Sequence, residues 1–208
     1  MEEIKLHVIL ESAACFSKGE GTAGEVDIEI QYDEYGMPYL NGKALKGLLH
    51  EEAAELVFAL KEAGSKVNWE QISDKIFGEP GSTPEKQGTV VFGDLRMPSD
   101  FRRKVVSEIN RGNTNAYEVL RLLTNTRTQT SVDDSGAPKP ETLRTLRIIP
   151  RQTPFEASIL FEELQEQERI FLYGCLMALR RAGSNKSRGL GKMKITLEPP
   201  QELTEEEF

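Results

Sequence analysis

The stretch AGSNKSRGLGKMKI, residues 182–195, joins two kinds of periodicity. The residues before it, Gln167 to Ala182, are strongly apolar over a helical length. Those that follow, Lys192 to Leu197, alternate as a short strand does. Glycines 183, 189 and 191 in between permit backbone shapes and close approaches that a Cβ resists. The order is helix, glycine loop, strand. It is not a P-loop, because GxxxxGK[ST] is absent and a P-loop runs from strand to helix.

Working outward from this loop, Phe155 to Phe161 alternates as a strand. Asn125 to Pro150 reads as two Thr- and Arg-rich arms around a polar tip, Asp133 to Pro138, which predicts a long hairpin or finger. Arg102 to Leu123 predicts one or two helices with a break near Gly112, and Thr89 to Leu95 predicts a strand. Residues 65–88 read as an insertion with one short amphipathic piece, Trp69 to Phe77, and a polar run that suggests a mobile end. Leu45, Leu48, Leu49, Ala53, Leu56, Val57 and Leu60 recur at helical spacing, with Gly64 as the stop. Val26 to Tyr32 alternates and ends at the turn Asp33-Glu34-Tyr35-Gly36, after a Gly-rich loop at 17–25. Ile4, Leu6, Val8 and Leu10 predict a half-buried first strand. The series predicts one α+β domain over residues 1–208. Its core is a ferredoxin-like, RRM-like βαββαβ sandwich, with a long hairpin and a helical or loop insertion.

The bulk numbers agree. The chain has 208 residues, 38% hydrophobic and 29% charged, enough for a packed core. No apolar run reaches the ~20 residues of a membrane span. The N-terminus starts acidic and enters a strand pattern, so no signal peptide is expected. Cys15 and Cys175 fit no CxxC spacing, which points to a reduced, cytoplasmic setting. Two Cys and two His give no spacing for a closed zinc site. A net charge of −8 taken alone argues against nucleic acid. Its distribution argues the other way. Residues 101–155 carry +5 and residues 180–194 carry +6, leaving −19 for the rest. That segregation predicts a basic face and an acidic back.

Two motifs carry candidate chemistry. In the glycine loop, backbone N–H groups with Lys186, Ser187, Arg188, Gly189 and Gly191 favour phosphate. The plain alternative is a flexible turn with incidental basic residues. In PYLNGKALKGLLH, residues 38–50, Lys43 and Lys46 stand at a helix N-terminus, where free N–H groups and the dipole favour anions. The plain alternative there is an ordinary cap with snorkelling lysines.

Taken together, these motifs resemble the RAMP superfamily of CRISPR-associated proteins. KSRGLGK (186–192) is similar to the family's C-terminal glycine loop, and PYLNGKALKG (38–47) resembles its PYIPGSSLKG element. TRTQTSVDDSGAPKPETLRTLRIIPRQTPFEASILFEE (126–163) resembles the thumb hairpin and following strand of type III backbone subunits. The resemblance spans most of the chain. It implies a subunit that binds CRISPR guide RNA, meets target RNA, and assembles with other effector subunits and copies of itself, with no membrane partner. It implies RNA contacts by Lys43, Lys46, Tyr39 and the glycine loop, and by Arg127, Arg144 and Arg147 at the thumb. The sequence departs from the family pattern in three ways. Gly42-Lys43-Ala44 stands for GSS, the zinc site of some relatives is not expected, and the pI of about 5.0 is low for an RNA-coating protein.

In type III backbone subunits a loop aspartate ahead of the PYIPG element cuts target RNA. The resemblance offers Asp27 and Asp33 for that role, with Asp27 helping to hold Mg²⁺ or another divalent cation. The alternatives are a solvent-facing acid for Asp27 and an Asx-type turn residue for Asp33. His7 and His50 are lesser candidates for acid–base work, and His50 reads more simply as a solvated helix residue. Tyr32, Tyr35 and Tyr39 are candidates for base stacking, against core packing for Tyr39. Two rival functions stay open: a non-catalytic structural RAMP, and an endoribonuclease that processes guide RNA. A small-molecule enzyme is disfavoured, because no acid, base and nucleophile cluster stands out.

Overall fold

The computed structural model describes residues 2–79, 86–130 and 142–198. Strand β1 (Glu2–Leu10) buries Ile4, Leu6, Val8 and Leu10 on one face, as its alternation predicts. It lies at the centre of a four-stranded antiparallel sheet with β2 (Val91–Phe92), β5 (Pro154–Phe161) and β6 (Met193–Glu198), in the order β2-β5-β1-β6. Leu6 sits opposite Ala157 on one side and Leu197 on the other, so each rung carries apolar side chains to the same face. Helices α1 (Gly42–Glu62) and α5 (Glu166–Ala178) pack together, and Gly174 leaves room for Leu56 between them. Leu45, Leu49 and Ala53 of α1 and Phe171, Leu172, Cys175 and Leu176 of α5 are buried in the same core as the sheet's inner face. With the four sheet strands renumbered in chain order, the sheet reads 2-3-1-4. That is the ferredoxin-like arrangement of a βαββαβ core. Among the described residues no helix is long and apolar enough to cross a membrane.

The insertion is partly core. Its helix α2 (Trp69–Phe77) buries Ile76 and Phe77, and Trp69 stacks on Phe171 of α5 at 5.6 Å. The expected mobile end falls largely on residues 80–85, outside the described residues. Helices α3 (Ser99–Asn110) and α4 (Ala116–Leu123) flank the break at Gly112, where φ is +75°. Hairpin strands β3 (Asn125–Gln129) and β4 (Arg144–Ile148) form a separate two-stranded sheet. The expected tip, 133–138, lies outside the described residues.

Three expectations are corrected. Val26 to Tyr32 is not a strand. Ile28 bridges Leu146 in parallel, Ile30 bridges Ser17 and Tyr32 bridges Pro38, so no single partner supplies a ladder. The alternation does not carry over into burial either, since Glu29 and Ile30 are both buried while Ile28 is only half-buried. The strand expected over Thr89 to Leu95 shrinks to Val91–Phe92, because Asp94 turns aside to tie the start of α1. Helix α5 stops at Ala178 rather than Ala182, since Arg180 to Ala182 run antiparallel to Gly191 to Met193.

Candidate nucleic-acid interface

The glycine loop is a pinched neck with a basic head. The Ala182 N–H donates to Gly191 O at 2.9 Å and the Met193 N–H donates to Arg180 O at 2.9 Å. The Gly191 N–H reaches Ala13 O at 2.8 Å, and the Ser184 N–H reaches Cys15 O at 2.8 Å. A Cβ on Gly191 would strike the Ala182 carbonyl, and one on Gly183 would strike the Cys15 carbonyl. Two of the three glycines are therefore required by the chain's own crossing rather than by ligand approach. Gly189 alone faces open space. Lys186–Arg188 forms one 3-10 turn that leaves Ser187 and Arg188 exposed. Beside it opens a cleft of ≈ 750 Å³ lined by Glu52, Arg180, Arg181, Lys186 and Ser187. Arg180 and Arg181 line this cleft although neither is among the sequence candidates; consecutive arginines at the end of an apolar stretch are the signal for them.

This head is fastened to helix α1 and to the hairpin. The Lys186 Nζ lies 3.2 Å from Glu51 Oε2 on α1. Lys43 and Lys46 precede Glu51 on the same helix, Lys43 by roughly 12 Å of axial rise. Among the described residues neither lysine has an ion pair. Burial, aided by Glu51 and Glu55 and opposed by Lys186, pushes the Glu52 carboxyl up. On the other side, Arg188 Nη1 donates to Gln129 Oε1 of β3 at 3.3 Å, joining the loop to the hairpin base.

The start of α1 is already filled. Asn41 accepts from the Ala44 N–H at 2.8 Å, and Asp94 accepts from the Gly42 N–H at 2.9 Å. Arg96 donates to Asp94 at 2.6 Å and spreads over the Tyr39 ring at 4.9 Å. Burial works to raise the Asp94 carboxyl. The Gly42 N–H, Arg96 and Arg102 outweigh it and hold the carboxyl below its ordinary value. The anion expected at this helix terminus is thus a protein carboxylate, and Tyr39 is covered by a guanidinium.

At the hairpin base, Arg127 and Arg144 are exposed and without ion pairs among the described residues. Arg147 is different: it is 4% exposed, with Nε 2.7 Å from Glu29 Oε1 and Nη2 2.6 Å from Glu25 Oε2. Burial lowers its pKa, but hydrogen bonds and charge from Glu29 and Glu25 raise it further. The sequence expectation of an RNA-facing Arg147 is corrected, because these two carboxylates hold the guanidinium inside.

Asp27 and Asp33 separate clearly. Asp27 is exposed in an open cleft of ≈ 500 Å³, with Oδ2 accepting from the Thr145 N–H at 2.7 Å. Its own N–H returns to Thr145 O at 2.8 Å. Asp33 is buried, accepts from the Tyr35 and Met37 N–H groups, and lies 3.7 and 3.6 Å from Arg96 and Arg102. The Asx-turn reading explains Asp33, which the fold withdraws from the surface. Among the described residues no three His, Cys, Asp or Glu side chains converge as a metal cluster. Asp27 still offers its Oδ1. That suits a hard cation such as Mg²⁺, which keeps waters and takes one or two carboxylates plus phosphate oxygens.

The remaining candidates scatter. His7 stands on the sheet's open face between Glu156 at 3.7 Å and Glu198 at 3.2 Å. His50 stacks on Phe77 at 5.4 Å. Lys18 lies over the exposed ring of Tyr32, and Tyr35 is half-buried. Among the described residues, the open face of the four-stranded sheet has no aromatic platform of the kind an RRM uses to stack bases.

Comparison with known proteins places this geometry. No curated protein sequence matches the chain significantly. A chain of the type III-B Cmr-β complex bound to cognate target RNA superposes with a TM-score of 0.66 at 14% identity, covering 95% of this chain and 97% of that one. A chain of the same complex in the apo state gives 0.65 at 15% identity, covering 94% and 96%. A chain of a type IV-B CRISPR complex gives 0.59 at 12%, covering 94% and 90%. Identities this low establish a shared fold. The sequence profile of the RAMP superfamily matches residues 17–194, a span that takes in the α1 motif, the hairpin and the glycine loop. The chain belongs to the RAMP superfamily.

Proposed function

We propose that this protein is a guide-RNA-binding backbone subunit of a type III CRISPR effector, and that Asp27 takes part in cutting target RNA. One observation carries the reading. The glycine loop is joined to α1 through Lys186–Glu51 and to the hairpin through Arg188–Gln129, while Asp27 is bonded to the hairpin's other strand at Thr145. The motifs scattered along the sequence thus gather around the base of one hairpin, the β3–β4 pair. The likeness to a chain from a target-bound type III-B complex supports this reading.

In this role Lys43, Lys46, Lys186, Arg188, Arg127 and Arg144 neutralise backbone phosphates, with Arg180 and Arg181 beside them. Base pairing with the guide supplies sequence specificity, so the subunit needs no base-edge readout. The hairpin presses on the guide–target duplex and splays a nucleotide. At that point a ribose 2′-oxygen can align in line with the adjacent phosphorus. As the 2′-oxygen bonds to phosphorus and the P–O5′ bond breaks, the Asp27 carboxylate takes the 2′-OH proton and solvent water protonates the departing 5′-oxygen, giving a 2′,3′-cyclic phosphate and a 5′-OH. Alternatively, a divalent cation held by Asp27 Oδ1 would assist the same attack by stabilising the charge developing on the phosphate, the carboxylate then serving as its ligand rather than as the base.

A second reading, a structural subunit without catalysis, is favoured by the backbone hydrogen bond that already engages Asp27 Oδ2. The guide-processing alternative has less support, because both His7 nitrogens lie beside glutamates, away from the glycine loop. The test is target cleavage by the assembled guide-bound complex with Mg²⁺, comparing wild type with Asp27→Ala and Asp33→Asn. Loss of cuts in Asp27→Ala alone, with target binding intact, supports catalysis here. Cuts that persist in Asp27→Ala make the subunit a scaffold.

A further inference from the structure

Beyond the bond from the Thr145 N–H to its own carboxylate, Asp27 is held by two separate devices. The first is backbone pairing: the Asp27 and Ile28 N–H groups both point to Thr145 O, at 2.8 and 3.2 Å, and the Arg147 N–H returns to Ile28 O at 3.0 Å. Such pairing tolerates a slip of the loop along β4, since every backbone position offers similar groups. The second device does not. Glu25 and Glu29 flank Asp27 by two residues on either side, and Arg147 grips both, with Nε on Glu29 and Nη2 on Glu25. Glu29 is 1% exposed, so a slip of the loop would strand a buried carboxylate and a buried guanidinium without partners. Glu29 Oε1 also accepts from the Ile30 N–H and its Oε2 from the Thr22 hydroxyl, tying the rest of the loop to the same anchor.

We infer that Arg147 is a positioning residue that fixes the register between the Asp27 loop and hairpin strand β4, so that Asp27 moves as one body with the hairpin base. The two arms of a guanidinium are what this requires; a lysine ammonium cannot hold two carboxylates in one plane. The purpose assigned to the register, delivery of Asp27 to the nucleotide the hairpin splays, rests on the proposed cleavage. The mechanical coupling does not.

The experiment has two arms. In the isolated full chain, amide hydrogen exchange at Asp27, Ile28, Thr145 and Arg147 is compared for wild type, Arg147→Lys and Glu25→Gln. In the guide-bound complex, single-turnover target cleavage and target affinity are measured for the same proteins. Glu25 lies at the solvent edge, so Glu25→Gln keeps the test available should Arg147→Lys not fold. The expected result is exchange faster by about tenfold or more at those amides only. Cleavage should fall by about tenfold to a hundredfold with target affinity unchanged. Combining Arg147→Lys with Asp27→Ala should cost nothing beyond Asp27→Ala. Unchanged exchange overturns the coupling. Faster exchange with undiminished cleavage overturns the positioning role. Absence of cutting in wild type refutes the cleavage reading instead, and exchange alone then decides the coupling.

Discussion

The Lys186 ammonium, in the glycine loop, lies 3.2 Å from the Glu51 carboxylate on α1. An exposed pair of this kind contributes about 0–1 kcal/mol to stability. Its larger consequence is for binding, because the carboxylate occupies a cation that RNA phosphate would otherwise take. Glu51→Gln should therefore tighten binding of single-stranded RNA severalfold and steepen the dependence of log K on log salt by about 0.7 for the cation released. Fluorescence anisotropy over a salt series measures both. Unchanged affinity and slope would show that Lys186 is not in the RNA path.

Replacing Lys43, Lys46, Lys186 and Arg188 together by Ala should do the reverse. RNA affinity falls and its salt dependence flattens by roughly three units of slope, since about 0.7 is lost per phosphate contact on a single strand. A variant that binds RNA with wild-type affinity and slope would remove this face from the interface.

The neck of the glycine loop predicts a contrast between two glycines. Both Gly189 and Gly191 have positive φ, +82° and +77°. Gly189→Ala meets open space and should cost about 1–2 kcal/mol from backbone strain alone. Gly191→Ala drives a Cβ into the Ala182 carbonyl and should cost well over that, about 3 kcal/mol or more. Thermal unfolding of the two variants gives the comparison, and equal losses would contradict the crossing described here.

Asp94 predicts a pH dependence. Its carboxyl is held below the ordinary value in the folded protein, so the unfolded state binds a proton more readily. The resulting stabilisation is present above the unfolded pKa and is lost as pH falls through the lowered folded value. Asp94→Asn should cost about 1 kcal/mol at neutral pH, and the gap to wild type should close on acidification. Denaturant midpoints at neutral and acid pH test the sign.

The two cysteines should be silent until the protein unfolds. Burial, assisted by Glu29, pushes the Cys15 thiol up to about 11, and burial pushes Cys175 up to about 12. At mildly alkaline pH their thiolate fractions fall by roughly a hundredfold or more relative to a free thiol, before steric exclusion is added. Mass spectrometry after alkylation should show no modification of the native chain and two modified sites in denaturant.

What the sequence determined by itself is what local rules govern. Period-2 burial in Ile4 to Leu10 and Phe155 to Phe161 set two core strands, and 3.6-residue spacing from Leu45 to Leu60 set α1. Positive charge gathered around residues 180–194 marked the basic head. Tertiary structure alone decided which polar groups remain available, because that depends on partners far away in the chain. Arg147 looks like Arg127 and Arg144 in sequence, yet Glu25 and Glu29, more than a hundred residues earlier, take it inside. The α1 N-terminus reads as an anion site until Asp94, 52 residues on, fills it. Asp27 and Asp33 are six residues apart and chemically alike. Backbone N–H groups and two arginines bury one, while hairpin strand β4 holds the other at the surface. Burial of a charge is favourable only where its partners converge, and convergence is a property of the folded chain.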